Sequence, residues 1–232
     1  MDVKNSDPAK ESERVAQGRA TRRALVAAGR DEFGRRGYAD TSVEDIVQRA
    51  EVTKGAFYHH FEGKKELFRR VFEQVTRDLS QAAFVTHVQH EPFRPREEQS
   101  REPRPFREQS NREVWRQLLE RCRRYIELRT DPQVQRITMV DALWILSREE
   151  RRAVEEEQGV VLLRADLRRA QRRGIVQPLP LHTLAVLLNG ALDEACMLVV
   201  DAESREEAVD DAMSVLEAFL EGIRTERPLE EG

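Results

Sequence analysis

The chain has 232 residues, 39% of them hydrophobic and 35% charged, with a mean hydropathy of −0.67, which suits a water-exposed helical protein with room for one large or two modest domains. No run of apolar residues approaches membrane-spanning length and the opening stretch MDVKNSDPAKESER is polar, so neither export nor anchoring is indicated and the expected location is cytoplasmic. The net charge of −4 does not advertise a nucleic-acid partner, but residues 1–80 carry 16 Lys+Arg against 14 Asp+Glu while 81–232 carry 23 against 29, a mildly basic head on an acidic body.

Residues 1–18 lack apolar periodicity and are expected to be a disordered tail. Arg14, Arg19, Arg22 and Arg23 cluster where the first helix, about 19–36, begins. That helix places Leu25, Ala28, Gly29 and Phe33 on one face and ends at Gly37. The stretch TSVEDIVQRAEVTKGAFYHHFEGKKEL, residues 41–67, then organises the rest. Val43, Ile46, Val47 and Ala50 follow helical spacing on one buried face. A capping box is available as Thr41 with Glu44, or one step on as Ser42 with Asp45. Glu51 and Val52 form the turn, and Thr53 can cap a second short helix through His60. Phe57 and Phe61 must face inward, which leaves Thr53, Lys54, Tyr58 and His59 outward. Such a polar face on a short helix suits the major groove of duplex DNA, and the unit is read as a helix-turn-helix. Lys64 and Lys65 open the next helix where its dipole disfavours cations, an arrangement that a docked phosphate would turn favourable.

Beyond the head, one amphipathic helix runs through Phe68, Val71, Phe72, Val75 and Leu79 and forms a connecting element over 65–86. Residues 87–110 are charged and Pro-rich and are expected to be a loop. His87 and His90 lack a third ligand for a metal site. A helical domain over 111–226 follows. Its first helix carries Trp115, Leu118, Leu119, Cys122, Tyr125 and Ile126. Asp131-Pro132 caps the next, with Val134, Ile137, Val140 and Trp144 expected on its inner face. A third helix, about 149–173, ends at Gly174. The helix 182–200 is apolar nearly all round, and the last, started by Ser204 with Glu207, shows one apolar face. A monomer offers no obvious second layer for these two. A two-fold dimer is therefore expected, built as a four-helix bundle through Leu188, Ala191, Leu192, Ala195, Ala212, Val215, Leu216 and Phe219. Trp115, Leu118, Cys122, Tyr125, Met139, Trp144 and Leu163 form a soft aromatic set that, with Asn189 and Asp193 for orientation, could line a small-molecule cavity. Cys122 and Cys196 read as buried hydrophobes.

Gly37-Tyr38, Thr41-Ser42-Val43, Ile46, Ala50, Val52, Lys54-Gly55, Phe57-Tyr58, His60-Phe61, Lys64 and Leu67 resemble, in order and spacing, the N-terminal domain of the TetR-type transcriptional regulators. The resemblance covers roughly residues 19–75. It implies an all-α protein in which a three-helix DNA-binding domain, 19–64, is joined to a helical ligand-binding and dimerisation domain. It further implies that Tyr58, His60 and Lys64 hold phosphates, that Thr53, Lys54, Gly55 and His59 lie nearest the bases, and that Thr41 and Ser42 belong to the same DNA-facing set. Two positions depart from the family pattern: Glu51 stands in place of the usual turn Gly, and Val47 in place of a small Ala. A third, Leu143, stands where a Pro is expected. The resemblance implies a repressor that binds a near-palindromic operator as a homodimer and is released by an apolar or aromatic effector. Ligand-promoted DNA binding and a helical protein-binding adaptor are the alternatives. An enzyme is excluded by the lack of a phosphate loop, metal-ligand cluster or nucleophile-base set, and no cofactor is expected.

Overall fold

The computed structural model describes residues 8–84 and 110–225, so the expected charged loop at 87–110 lies outside the described residues except for Ser110. The helices are α1 (Pro8–Arg36), α2 (Val43–Arg49), α3 (Lys54–His60), α4 (Lys64–Phe84), α5 (Asn111–Arg129), α6 (Pro132–Gln135), α7 (Ala142–Ile145), α8 (Arg148–Val154), α9 (Val161–Arg172), α10 (Leu181–Asp201) and α11 (Arg205–Glu221). Two π-helical turns, Arg136–Asp141 and Glu155–Val160, interrupt the middle of the chain. The chain forms two compact units, Met1–Thr76 with Asp131–Val154, and Arg77–Thr130 with Glu155–Gly232.

In the first unit, Leu25, Phe33, Ile46, Phe57, Phe61, Leu67, Phe68, Val71 and Phe72 share one core. Five of these are phenylalanines that are almost fully buried, each worth about 1.5–3 kcal/mol. Phe68 meets Phe33 and Tyr38 edge-on, with centroids 5.3 and 5.2 Å apart. Gly29 lets α1 and α4 approach: a Cβ there would stand 3.0 Å from Leu67 Cδ2. Gly37 ends α1 at φ +85° with its amide on the Phe33 carbonyl, 2.9 Å away.

Two expectations about this unit change. Residues 8–18, expected as tail, are the first turns of α1. Ser12–Gln17 are all exposed, so these turns bury no apolar stripe and periodicity could not reveal them. Asp131–Val154, expected inside the C-terminal domain, packs with the head instead: Ile137, Ala142, Leu146 and Val154 complete the head core. Asp131 caps α6 by accepting from the amides of Gln133 and Val134 at 3.0 and 3.3 Å, with Pro132 in the first position. The π-turn that follows adds residues per turn and rotates the register. Ile137, Ala142 and Leu146 therefore face in, and Val140, Leu143 and Trp144, the last 86% exposed, face out. The expected inner face through Val140 and Trp144 is corrected accordingly.

In the second unit, Leu118, Cys122 and Ile126 of α5, Leu163, Leu167 and Ala170 of α9, and Ala185, Leu188, Leu192, Cys196 and Val199 of α10 are buried together with Val209, Met213, Leu216 and Leu220 of α11. Ser110 and Glu113 form a reciprocal capping box at the start of α5. By length and composition α10, with a mean hydropathy of 1.7, is apolar enough to cross a membrane. This corrects the expectation that no stretch approaches that length. Asn189, Asp193 and Glu194 break every uninterrupted apolar run, although the helix as a whole remains strongly apolar.

Candidate functional site

The head presents α3 on a braced turn. Ser42, not Thr41, caps α2: its hydroxyl and amide meet the Asp45 carboxylate at 2.6 and 2.8 Å, and its oxygen accepts from the Asp45 amide at 3.1 Å. Those bonds, with Arg36 beside it, hold the Asp45 carboxyl down to about 2. Thr41 is 1% exposed and donates its hydroxyl to the Gly37 carbonyl at 2.7 Å, so it cannot face DNA and leaves the expected set.

The α2–α3 turn is a Schellman motif. The Val52 amide reaches the Val47 carbonyl at 3.0 Å and the Glu51 amide reaches that of Gln48 at 3.2 Å. Val47 and Val52 both pack on the head core. The left-handed position is Glu51, at φ +54°, a conformation costing an L-residue about 1–2 kcal/mol. Thr53 caps α3, accepting from the Ala56 amide at 3.1 Å.

Anchored by buried Phe57, α3 exposes Thr53, Lys54, Gly55, Tyr58 and His59. Tyr58 is 53% exposed, with its ring edge-on to Phe57. A Cβ at Gly55 would meet only Thr53 Oγ1, at 3.8 Å, so nothing inside the protein requires glycine there. Lys54 forms an ion pair with Glu44, which lowers the carboxyl pKa of Glu44 and raises that of the lysine. His60 is half-buried, with Gly18 of α1 beside its ring. Burial, followed by His59 and Arg22, pushes its pKa down.

Lys64 turns inward. Its ammonium donates to the carbonyls of Tyr38 and Thr41 at 2.8 and 2.7 Å and lies 4.2 Å from the centroid of the Tyr38 ring. Two of its three protons thus hold the α1–α2 loop, a structural duty that its expected phosphate role did not include. The Tyr38 amide is held in turn by Asp141 Oδ2 at 2.8 Å, and burial of that carboxyl raises its pKa against the effect of this bond.

The expected effector set does not come together as one group. Met139 and Trp144 belong to the first unit, and Trp144 is exposed. Trp115, Leu118, Cys122, Tyr125, Leu163, Asn189 and Asp193 belong to the second. There, Arg129, which the sequence offers only as the end of a helix, is 8% exposed and central to a polar cluster. Its Nη1 reaches Tyr125 Oη at 2.5 Å and Asp193 Oδ1 at 3.1 Å. Tyr125 donates to Asp193 at 2.9 Å, and Asn189 Nδ2 to Asp193 Oδ2 at 3.1 Å. Burial raises the Tyr125 pKa well above its ordinary value. Among the described residues, the buried Arg129 Nε and Ser80 Oγ have no hydrogen-bond partner in the protein. A Cβ on Gly159 would stand 3.7 Å from Ser80 Oγ and 3.9 Å from Asn189 Oδ1, so one small residue separates the two. Burial pushes both cysteine thiols up to about 12, and among the described residues no group of three or more His, Cys, Asp or Glu could hold a metal.

On α10 and α11, an apolar groove of about 430 Å³ is lined by Ala191, Glu194, Ala195, Leu198, Ala208, Asp211, Ala212, Val215, Leu216 and Phe219. Residues 187, 191, 194 and 198 on α10 repeat the spacing of 208, 212, 215 and 219 on α11, two parallel stripes. Leu187, Leu198, Val215 and Phe219 are 68, 61, 53 and 66% exposed. Of the residues expected at the interface, Leu188, Leu192, Ala195 and Leu216 are 7, 0, 5 and 4% exposed and belong mainly to the core of their own chain.

Residues 25–71 match the family described as bacterial regulatory proteins, tetR family, and residues 115–223 match the tetracyclin repressor-like C-terminal domain. The chain is similar to a protein of Escherichia coli K12 named "Probable acrEF/envCD operon repressor", 35% identical over 80 residues, which are 34% of this chain and 36% of that one. It thus spans about a third of the length of that curated relative. Over most of its length it is similar to a TetR-family transcriptional regulator of Pectobacterium atrosepticum (28% identity, 92 and 98% coverage, TM-score 0.68). It shares its fold with RolR, solved in complex with resorcinol (14% identity, 94 and 98% coverage, TM-score 0.63).

Proposed function

The chain belongs to the TetR family of bacterial transcriptional regulators, and from that premise we propose that it is a cytoplasmic repressor that binds a near-palindromic operator as a homodimer and is released by a small molecule. The observation that carries this is the exposed face of α3. Lys54, Tyr58 and His59 stand outward from a helix anchored by Phe57, and Gly55 leaves backbone open to close approach. Tyr58 and Ser42 serve phosphates, with His60 at the far end of α3, while Thr53, Lys54, Gly55 and His59 read base edges. One seven-residue helix supplies few base contacts, and pairing two heads about 34–36 Å apart supplies two half-sites. The exposed stripes on α10 and α11 make the pair by forming a four-helix bundle with a second copy.

The effector sits in the helical body, Arg77–Thr130 with Glu155–Gly232. Trp115, Leu118, Cys122 and Leu163 provide apolar side chains, and the unmatched Arg129 Nε beside Tyr125 and Asp193, with Ser80 Oγ across Gly159 from Asn189, provide orientation. An aromatic or apolar molecule with a polar head fits that chemistry, and RolR, of the same fold, holds resorcinol. Because α4 supplies residues to both units, a shift of its body half is transmitted along the same helix to the head. The test is selection of bound fragments from random duplexes, followed by a screen of phenols and hydrophobic acids for release. Enrichment of an inverted repeat is expected, and recovery of unrelated sequences only would refute operator recognition.

A further inference from the structure

We propose that Arg19, Arg22 and Arg23, a stripe on α1 beside the end of α3, form a second anion surface that clamps duplex phosphates bordering the groove read by α3. The inference rests on the DNA-binding reading above and adds a contact that the helix-turn-helix does not supply. Residues at i, i+3 and i+4 share one face of a helix, and α1 extends two turns and more beyond them, to Pro8. The stripe is placed by contacts with α3 and its cap. Gly18 lies beside the His60 ring, its would-be Cβ 3.8 Å from His60 Cε1, and the Arg22 guanidinium stands 5.2 Å from the centroid of Phe61.

The charge inventory of the head makes the stripe unusual. Lys54 is paired with Glu44, Arg36 with Glu32 and Asp45, Arg49 with Asp31 and Glu32, and Lys65 with Glu150 at 3.7 Å. Lys64 is committed to carbonyls. Arg19 and Arg23 are exposed and use only their Nε, each on a carbonyl four residues back at 3.4 Å. Among the described residues no ion pair joins a carboxylate to Arg19, Arg22 or Arg23. Their helical neighbours at 15, 16, 20, 26 and 27 are Val, Ala, Ala, Val and Ala, so no acid on α1 is placed to neutralise them. Cations at i and i+4 repel each other along a helix, and an external polyanion relieves that repulsion. The guanidinium fork suits bidentate phosphate contact, and the head otherwise keeps few of its charges uncommitted.

The experiment measures the salt dependence of binding to the duplex recovered by random selection, by fluorescence anisotropy with the full chain. Wild type is compared with Arg19→Ala/Arg23→Ala and Arg19→Lys/Arg23→Lys. The alanine pair should lower the slope of log K against log salt by about 1.8 for each docked head while leaving base preference unchanged, and the lysine pair should restore it. Both substitutions are on an exposed helical face, and circular dichroism melts should coincide with wild type. A wild-type slope in the alanine pair would overturn the clamp and leave the regulator reading intact. Absence of duplex binding by wild type itself would overturn both.

Discussion

Phe219→Ala tests the proposed two-fold bundle quantitatively. Phe219 is 66% exposed in the single chain. A phenylalanine side chain offers roughly 200 Å², so about 130 Å² per copy awaits cover. At about 25 cal/mol per Å² that is worth about 3 kcal/mol per copy and about 6 for a symmetric pair. Part of this is offset by the area the alanine retains and by ordering at the interface, which leaves a loss on the order of 4–5 kcal/mol. At about 1.4 kcal/mol per decade, the dimer Kd should weaken by roughly a thousandfold. Sedimentation velocity over a concentration series reads that constant directly. Because Phe219 leaves the core of its own chain intact, the melting curve of the monomer should not fall. An unchanged dimer constant would refute the placement of the interface on these stripes.

Three further substitutions address the head. Glu51→Gly should stabilise it by about 1 kcal/mol, the left-handed cost relieved less the extra freedom of glycine when unfolded. That corresponds to a rise of about 2–4 °C in melting temperature, and a fall would contradict the strain assigned to φ +54°. Gly55→Ala should raise stability by up to about 0.5–1 kcal/mol while weakening duplex binding, because its methyl projects from the α3 face; unchanged affinity would remove Gly55 from the contact surface. Lys64→Met leaves the Tyr38 and Thr41 carbonyls without their ammonium and should cost about 2 kcal/mol. Weakened binding with an unaltered melt would instead return Lys64 to the phosphates.

Much of the head is legible in the sequence because its determinants are local. The two alternative caps of α2, the stop at Gly37 and the inward Phe57 and Phe61 follow from short spacings and residue chemistry, while Glu51 is marked only by its departure from the family's turn glycine. What is not legible depends on partners distant in the chain. The first turns of α1 carry no apolar stripe, so residues 8–18 give no periodic signal. The packing of Asp131–Val154 with the head is a tertiary choice between two apolar surfaces. The π-turn at Arg136–Asp141 rotates Trp144 outward against a pattern read at 3.6 residues per turn. Lys64 and Arg129 look like surface cations in sequence, and only the convergence of carbonyls on one and of Tyr125 and Asp193 on the other shows otherwise. On α10, apolar residues all round leave its faces undistinguished in sequence, and only the packing shows Leu188 and Leu192 buried in their own chain while Leu187 and Leu198 stay exposed.

The most direct test is equilibrium binding of the full chain, without effector and at fixed salt, to the selected duplex and to a scrambled duplex of the same length and composition. If α3 reads base edges from two paired heads, the selected duplex should bind at least about a thousandfold more tightly. Equal affinity for the two would show that the exposed α3 face does not read sequence.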